Sequence, residues 1–333
     1  CSAFLMMFDL MHFAQTRIAT IDSYTTLFVI LMYYFMADYY LQKSYKAGFY
    51  SSLKPLFLSG LFFGFGAATK WSAIYGAPGL AVLFFMAKYN EYQDYLRARY
   101  GKGKKRSNAS APEWVKEFMP VYMQKTMLYC VLFFIIIPGV IYILSYIPYL
   151  LVPGMKFTDI FEYQKSMYHY HSTLDATHSF QSAWWTWPFM IKPIWYYTGK
   201  DLPAGMASTI ASFGNPAVWW AGIPALIAGF KAFLKKNKAM TIVVIAFICL
   251  YLPWVLISRS AFIYHFFPMV PFLILAVVYC IKTFIDRGMS KRYIYGYLGL
   301  VLLLFILFYP AVSGLIVPEG YITFLRWLPT WIF

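Results

Sequence analysis

The sequence predicts an all-α, polytopic membrane protein. Of its 333 residues, 61% are hydrophobic, 22% are aromatic and only 12% are charged. A soluble globular chain carries roughly 25% charged residues, and half that proportion cannot cover a surface that faces water. Apolar runs that suit about 30 Å of hydrocarbon recur along the chain. We therefore expect a helical membrane bundle of about eight to nine transmembrane helices with one long outside loop.

The predicted spans are eight apolar stretches, preceded by residues 1–14 as a ninth that is entered partway. The stretches at 54–69 and 73–88 are short and joined by a tight turn at Lys70, so they predict a helical hairpin. No period of 20–50 residues repeats, which excludes a solenoid. The eight stretches lie at 23–41, 54–69, 73–88, 126–150, 214–230, 239–257, 262–283 and 293–317.

The basic residues follow this topology. Alternating the connections between spans places 20 of the 28 Lys and Arg residues on one side, 9 of them between residues 88 and 125. The positive-inside rule makes this side cytoplasmic. The net charge of +15 therefore indicates membrane orientation, and no nucleic-acid partner is predicted. The run from Arg97 to Arg106 is interpreted as an orientation signal or as a contact with anionic lipid.

The topology divides the chain into three regions. Residues 1–151 form an N-terminal transmembrane region with a basic cytoplasmic loop at 89–125. Residues 152–213 form an outside loop with interfacial helices, and residues 214–333 form a C-terminal four-helix transmembrane region. The outside loop carries three histidines and a tryptophan cluster, which is unusual for a connector. We expect the chemistry of the protein on this side.

A first group of polar residues lies near the start of the chain. On a helix, Asp9, His12 and Thr16 share a face, and Arg17 reaches a carboxylate one turn away. Ionisable side chains at membrane depth are costly and usually functional. A guanidinium at the outer boundary also binds phosphate in a bidentate manner. The alternative is a structural ion pair of Arg17 with Asp9 or with Asp22.

Two further cations are predicted on the same face. Lys70 either binds an anion or extends to the interface beside Trp71. Arg259 lies on a very short outside turn, and His265 follows inside an apolar segment, where a buried neutral histidine bonded to the backbone is the alternative. Three cations on one face, Arg17, Lys70 and Arg259, predict that they converge on one anionic headgroup.

Histidines and tryptophans cluster in the outside loop. His169, His171 and His178 suggest a zinc site, but no fourth ligand is evident and we predict no metal. The four cysteines show no paired spacing and are expected to be free thiols. Three tryptophans suit either stacking on a sugar face or the aromatic belt at the headgroups; they are Trp184, Trp185 and Trp187.

The polar segments together resemble a known family. The string from Phe8 to Asp22 resembles the signature of the dolichyl-phosphate-mannose protein mannosyltransferases, and the turn from Ala68 to Trp71 resembles their Thr-Lys-Trp turn. Four later segments resemble the C-terminal four-helix region of that family. They lie at 178–188, 192–197, 214–220 and 259–268.

The resemblance implies a GT-C glycosyltransferase, an inverting enzyme that needs no cofactor. Such an enzyme moves mannose from a polyprenyl-monophosphate donor to Ser or Thr hydroxyls of translocated polypeptides on the non-cytoplasmic face. It further implies membrane lipids and the translocation machinery as partners and a bacterial plasma membrane as the location. The donor phosphate is assigned to Arg17 and Lys70, with Arg259 and His265 as weaker candidates. The sugar and acceptor are assigned to His171, His178, Trp184, Trp185 and Trp187.

Two departures from the family affect these assignments. The first outside loop of the family, with its Asp-Glu pair, has no counterpart here. We therefore expect the catalytic base upstream of Cys1 and expect this sequence by itself to be inactive; Asp22 and Asp175 are weak candidates. The outside loop 152–213 is too short for the sugar-binding repeat domain of the eukaryotic enzymes, which favours the prokaryotic type.

Two other functions stay open at this point. A related polyprenyl-phosphate-sugar transferase would use the same fold to modify a lipid or a cell-wall glycan. A transporter would line a pathway with its intramembrane charges. Transport would be supported by broken inverted repeats, and the sequence offers none.

Overall fold

The structure is a computed structural model that describes residues 1–101, 111–174 and 177–333. Part of the predicted basic loop 89–125 therefore lies outside the described residues. The helices are α1 (Ser2–Met7), α2 (Leu10–Arg17), α3 (Ile21–Leu41), α4 (Ser44–Ala47), α5 (Phe49–Thr69), α6 (Trp71–Tyr100), α7 (Glu113–Leu150), α8 (Phe157–Thr173), α9 (Pro216–Leu234), α10 (Lys238–Leu256), α11 (Ile263–Asp286), α12 (Lys291–Ser313) and α13 (Glu319–Phe324). The strands are β1 (Ile194–Thr198), β2 (Met206–Ala207), β3 (Thr209–Ser212) and β4 (Val317–Pro318).

Six helices of the described chain are long and apolar enough to cross a membrane: α6, α7, α9, α10, α11 and α12. They coincide with six of the predicted spans, and the helical membrane fold is thereby confirmed. The predicted spans at 23–41 and 54–69 correspond to α3 and α5, which have 21 residues each. Neither helix is among the six, and their crossing of the membrane stays a prediction.

Residues 1–14, predicted as part of a ninth span, do not form one continuous helix. The chain forms α1, leaves the helix at Phe8 and starts again as α2. Asp9 causes the restart because its carboxylate accepts a hydrogen bond from the backbone N–H of His12 at 3.1 Å. A side chain that satisfies a free N–H of the first turn favours a helix start at that point.

Unit 1 of the chain, Cys1–Thr26 with Ser166–Phe333, is one of two compact units. Its core forms where α9 packs along α11 and where α10 and α12 pack against this pair. Trp219 on α9 is fully buried with its ring 4.9 Å from that of Phe266. A Cβ atom at Gly214 would lie 2.0 Å from the Trp219 ring, so only glycine allows this approach.

Unit 2, Leu27–Lys165, is built around the packing of α5 on α7. The two backbones come close at Gly60, where a Cβ atom would lie 2.2 Å from the carbonyl oxygen of Phe133. Small residues allow this kind of helix contact in membranes. The unit also buries an ion pair, in which the ammonium of Lys88 lies 2.9 Å from the carboxylate of Glu91.

Two small antiparallel sheets lie in unit 1, and the sequence analysis did not predict them. Strand β1 pairs with β3, and β2 pairs with β4. The β1 pairing contains a bulge, because Trp195 and Tyr197 pair with adjacent residues of β3 and leave Tyr196 as the extra residue. A bulge turns a side chain away from the regular alternation of a strand. Residues 152–213 also contain helix α8 and a 3-10 helix at Trp184–Phe189, and the position of these helices at the membrane interface stays a prediction.

Candidate functional site

Arg17 is the last residue of α2, and its side chain is exposed. Within residues 1–101, 111–174 and 177–333, Arg17 makes no ion pair and no side-chain hydrogen bond. The alternative of a structural ion pair with Asp9 or Asp22 is therefore wrong. The Asp9 carboxylate is instead enclosed by three N–H donors, and the guanidinium is available to an anionic ligand.

The turn after Arg17 is held by Gln15 and Thr20. Ala19 lies in the left-handed region at φ 54°, a conformation that costs a residue with a side chain roughly 1 kcal/mol or more. The hydroxyl of Thr20 donates to the Gln15 side-chain oxygen at 2.6 Å, and the backbone N–H of Thr20 donates to the Gln15 carbonyl at 3.2 Å. These bonds stabilise the short turn that joins α2 to α3.

Gln15 connects this turn to the bulged strand. Its side-chain N–H group donates to the Tyr196 hydroxyl at 2.8 Å and to the Ser212 hydroxyl at 3.3 Å. Burial raises the pKa of Tyr196, the hydrogen bond from Gln15 lowers it, and the negative charge of Asp22 raises it. Tyr196 is therefore a neutral hydroxyl in the neighbourhood of the Asp22 carboxylate.

Tyr264 lies near charged residues of two polar segments that are far apart in the chain. It interacts electrostatically with Asp22 from the start of α3 and with Arg259 from the turn before α11. Asp22 is only 6% exposed. Unit 1 thus brings the segments 17–22 and 259–264 to one polar region.

Arg259 lines a polar cavity of about 520 Å³. The cavity walls are two loops, one leading into the 3-10 helix and the other joining α10 to α11. Its lining residues are Leu174, Thr177, Gln181, Ser182, Ala183, Trp184, Trp254, Ile257, Ser258, Arg259, Ser260 and Ala261. A volume of this size admits a sugar ring or a phosphate group.

Three contacts tie the two loops of the cavity together. The hydroxyl of Ser260 donates to the side-chain oxygen of Gln181 at 2.7 Å, and the N–H of Ser182 donates to the carbonyl of Ala261 at 2.8 Å. The ring of His178 lies edge-on to that of Phe262 at 5.2 Å. His178 is exposed, so this predicted acceptor residue lies beside the cavity with an accessible ring.

His171 lies in the last turn of α8 and interacts with Arg259. Partial burial lowers the pKa of His171, and the positive charge of Arg259 lowers it further. His169 lies two residues earlier on the same helix. Side chains two residues apart on an α-helix point to nearly opposite sides. The two histidines therefore cannot bind one metal ion from this helix. The described residues contain no group of three or more metal-binding side chains, and the absence of a metal stays a prediction.

His265 is 5% exposed and lies close to its own backbone. Its Nδ1 atom is 3.1 Å from the N–H of Phe262, and its ring centroid is 4.4 Å from those of Trp254 and Tyr264. This geometry matches the alternative of a buried histidine bonded to the backbone. Phosphate binding by His265 stays a prediction, with less access than Arg17 has.

The three tryptophans of the outside loop differ in exposure. Trp187 is fully buried, its indole N–H donates to the Ser182 hydroxyl at 3.0 Å, and its ring packs on His265. It has no open face for a sugar. Trp184 lines the cavity, whereas Trp185 is 59% exposed. Sugar stacking stays a prediction for these two.

Lys70 belongs to unit 2, where it lies between α5 and α6 in an extended conformation. The next residue, Trp71, donates from its indole N–H to the Tyr142 hydroxyl at 2.7 Å. That hydroxyl donates to the Gln164 side chain at 2.5 Å, and Gln164 donates to the Tyr146 hydroxyl at 2.7 Å. The turn is therefore anchored within its own unit. Convergence of Lys70 with the arginines stays a prediction.

Some features of the polar region were not predicted from sequence. Gln15 and Tyr196 were quoted within motifs but given no role, since a bulge in a short strand leaves no periodic signal. The predicted candidate Asp175 lies outside the described residues. Asp22 is present in the polar region, and its role as a base stays a prediction.

The fold and the apolar helices define an integral membrane protein of the polytopic helical class. Residues 156–331 match the model of the C-terminal four-transmembrane region of protein-O-mannosyltransferase. This match extends over more than half of the chain, and the chain therefore belongs to the protein-O-mannosyltransferase family.

Individual relatives agree with this membership. The chain is 22% identical over 316 residues to a polyprenol-phosphate-mannose–protein mannosyltransferase of Corynebacterium glutamicum, and 24% identical over 314 residues to one of Mycobacterium tuberculosis. Both alignments cover 83% of this chain and 57% of the relative, so the chain spans little more than half the length of these proteins. A solved Saccharomyces cerevisiae Pmt1-Pmt2 complex bound to the sugar donor superimposes with a TM-score of 0.47 at 22% identity, over 54% of this chain and 27% of that chain.

Proposed function

We propose that the protein transfers mannose from a polyprenyl-monophosphate donor to Ser or Thr hydroxyls of a polypeptide, with inversion at the sugar. The observation that carries this proposal is the polar region of unit 1, where the exposed Arg17, without an ion pair among the described residues, and a cavity with Arg259 belong to one compact unit. The names of the relatives from Corynebacterium and Mycobacterium support the same donor and a protein acceptor.

The chemistry requires a stabilised leaving group. The acceptor hydroxyl attacks the anomeric carbon, the bond from that carbon to the phosphate oxygen breaks, and the negative charge passes to the lipid phosphate. A guanidinium aimed at this phosphate stabilises the developing charge at a site of low dielectric constant. We assign this role to Arg17, with Arg259 as the second candidate. Lys70 keeps the same role as a separate proposal that rests on the resemblance.

The hydroxyl proton needs a carboxylate on the opposite side of the sugar. Asp22 is the described candidate in the polar region of unit 1. The family resemblance assigns the base instead to the Asp-Glu pair of a first outside loop, which residues 1–333 do not contain. We assign the sugar and the acceptor to the cavity, with His171, His178, Trp184 and Trp185 around it.

The proposed reaction takes place on the non-cytoplasmic face of a bacterial plasma membrane. The distribution of basic loops supports this orientation, because the segments with most Lys and Arg residues stay in the cytoplasm. A translocated, unfolded polypeptide is the acceptor that this face offers, and the translocation machinery is the partner that would deliver it. The proposed division of the chain remains an N-terminal transmembrane region at 1–151, an outside loop at 152–213 and a C-terminal transmembrane region at 214–333.

A transfer assay tests the function. Membranes that contain the native gene product are incubated with polyprenyl-phosphate-mannose and a Ser/Thr peptide, and the anomeric configuration of the product is determined by NMR. Mannosyl peptide with the configuration opposite to that of the donor supports the proposal. Transfer only to a lipid or cell-wall glycan would establish the alternative acceptor, and hydrolysis without transfer would overturn both.

A further inference from the structure

A groove opens in unit 1 between the later part of α9, the end of α11 and the start of α12. Its volume is about 410 Å³, and almost all of its surface is apolar. The α9 side is low because Ala221, Ala225 and Ala228 carry only methyl groups. The other sides are formed by larger side chains, among them Phe284 and Tyr293. These helices are apolar enough to cross a membrane, so a lipid chain is the available neighbour.

The groove ends at the most basic part of unit 1. The segments 231–238 and 282–292 carry eight Lys and Arg residues and a single acidic residue, Asp286, which pairs with Lys282 at 2.9 Å. Groove residues are next to these charges in the chain, since Tyr293 follows Arg292 directly. The exposed side chains of Arg287, Lys291 and Arg292 make no ion pair within the described residues.

The helix termini do not compensate this charge. Helices α9 and α11 end at this side, whereas α10 and α12 begin here. A helix terminus carries roughly half an elementary charge, negative at the C-terminus and positive at the N-terminus, so the four termini cancel. The excess of cations therefore needs anions from outside the protein.

We propose that this groove binds an anionic glycerophospholipid of the cytoplasmic leaflet. One acyl chain lies in the groove, and the phosphate headgroup contacts Arg287, Lys291 and Arg292 at its end. The positive-inside rule accounts for basic loops on this side but not for an apolar groove that ends among them. Charge complementarity therefore selects a lipid with a negative headgroup over a neutral one. This site is independent of the proposed transfer reaction.

Native mass spectrometry of the full chain tests the proposal. The protein is purified in detergent and offered equal amounts of phosphatidylglycerol and phosphatidylcholine with the same acyl chains. Two variants alter the site: R287Q/K291Q/R292Q removes the headgroup contacts, and A228F fills the groove with a ring. The matched control, K46Q/K116Q/K125Q, removes three exposed charges of unit 2 from the same predicted face of the membrane.

We expect the wild type to retain phosphatidylglycerol over phosphatidylcholine by at least about tenfold, because several cations contact one headgroup. The triple rim variant should lose this preference, and A228F should lose retention of both lipids. The unit 2 control should behave as the wild type, and equal melting temperatures would show that all variants fold. Equal binding of the two lipids by the wild type would overturn the proposal. So would an equal loss in the unit 2 control, or unchanged retention by A228F.

Discussion

The Asp9 carboxylate accepts a hydrogen bond from the indole N–H of Trp219 at 2.9 Å, which joins the start of α2 to α9. The same oxygen accepts the backbone N–H of Asn215 at 3.1 Å, and the other oxygen accepts the N–H of His12. Asn215 extends the connection by donating to the carbonyl of Val301 on α12 at 2.9 Å. The Asp9 carboxylate, which the sequence placed among candidate functional residues, thus helps to fix three helices relative to one another.

Replacing Trp219 with Phe should destabilise the protein. Phe keeps an aromatic ring but leaves a small cavity. The buried carboxylate of Asp9 also loses one donor, which by itself costs about 1–3 kcal/mol. The free energy of unfolding in detergent, followed by circular dichroism, measures the change. The neighbouring Trp220 is 38% exposed and donates at 3.3 Å, so W220F serves as the control and should change stability by less than about 1 kcal/mol. Equal effects of the two variants would contradict the connection.

Replacing Arg17 with Ala should weaken donor binding without loss of folding. The side chain is exposed and unpaired in the described chain, so its removal leaves no buried partner unsatisfied. A charge-assisted contact to phosphate contributes about 1.5–3 kcal/mol, which corresponds to at least a tenfold rise in the Kd for polyprenyl phosphate. Lys235 is also exposed, on the predicted cytoplasmic side, and K235A is the control. Unchanged affinity in R17A would remove Arg17 from the site.

Two described ion pairs of unit 2, Lys88–Glu91 and Lys43–Asp94, should lose different amounts of stability when each lysine is replaced by Met. Lys88 is 2% exposed and contacts Glu91, the Ser44 hydroxyl at 3.2 Å and the Tyr122 carbonyl at 2.8 Å. Its loss leaves a buried carboxylate without a counterion, at a cost of about 3–5 kcal/mol.

The control ion pair is partly exposed. Lys43 lies 2.8 Å from Asp94, with about a third of each side chain exposed, and such a pair contributes less than about 1 kcal/mol. Melting temperatures in detergent compare K88M with K43M directly. If the melting temperature of K88M fell no further than that of K43M, the buried ion pair would not stabilise the fold more than the exposed one.

The sequence predicted the helices better than the polar contacts between them. Apolar runs determine where a membrane helix must lie, because every backbone group in lipid must be bonded within its own segment. The six long apolar helices were therefore found. The break at Asp9 was missed because the burial of its carboxylate depends on Trp219 and Asn215, some 200 residues away.

Only part of the candidate site was predicted, because its contacts also join residues that are far apart in the chain. Arg17 and Arg259 were chosen as cations of the outer face, and the structure connects their segments through Tyr264. The role of Tyr196 depends on a bulge opposite β3, which local sequence does not encode. Trp187 was predicted together with Trp185 as a stacking residue. It is buried because it packs against α11, and a local sequence motif cannot predict such a contact.

Replacing Trp71 with Phe should alter donor binding through the turn that carries Lys70. The phenyl ring keeps most of the packing but loses the hydrogen bond to the Tyr142 hydroxyl. One such bond contributes about 1 kcal/mol, so we expect a several-fold rise in KM for the donor with little change in kcat. K70A should show a larger rise. Trp114, stacked on Tyr45 in the same unit, provides the control W114F. A KM in W71F equal to that in W114F would show that the bond does not position Lys70.

The titration of His171 should depend on Arg259. Burial and then the charge of Arg259 lower the pKa of His171 from its ordinary value of 6.5, so the folded state favours the neutral ring. The resulting stability is complete above pH 6.5 and is lost as the pH falls from 6.5 through the lowered pKa. Because the ring is largely exposed, NMR of labelled histidine is a more sensitive measure than unfolding. R259Q should raise the pKa of His171 towards 6.5, whereas R326Q should leave it unchanged. A pKa that is equal in R259Q and the wild type would separate His171 from the cavity and withdraw it as an acceptor-binding residue.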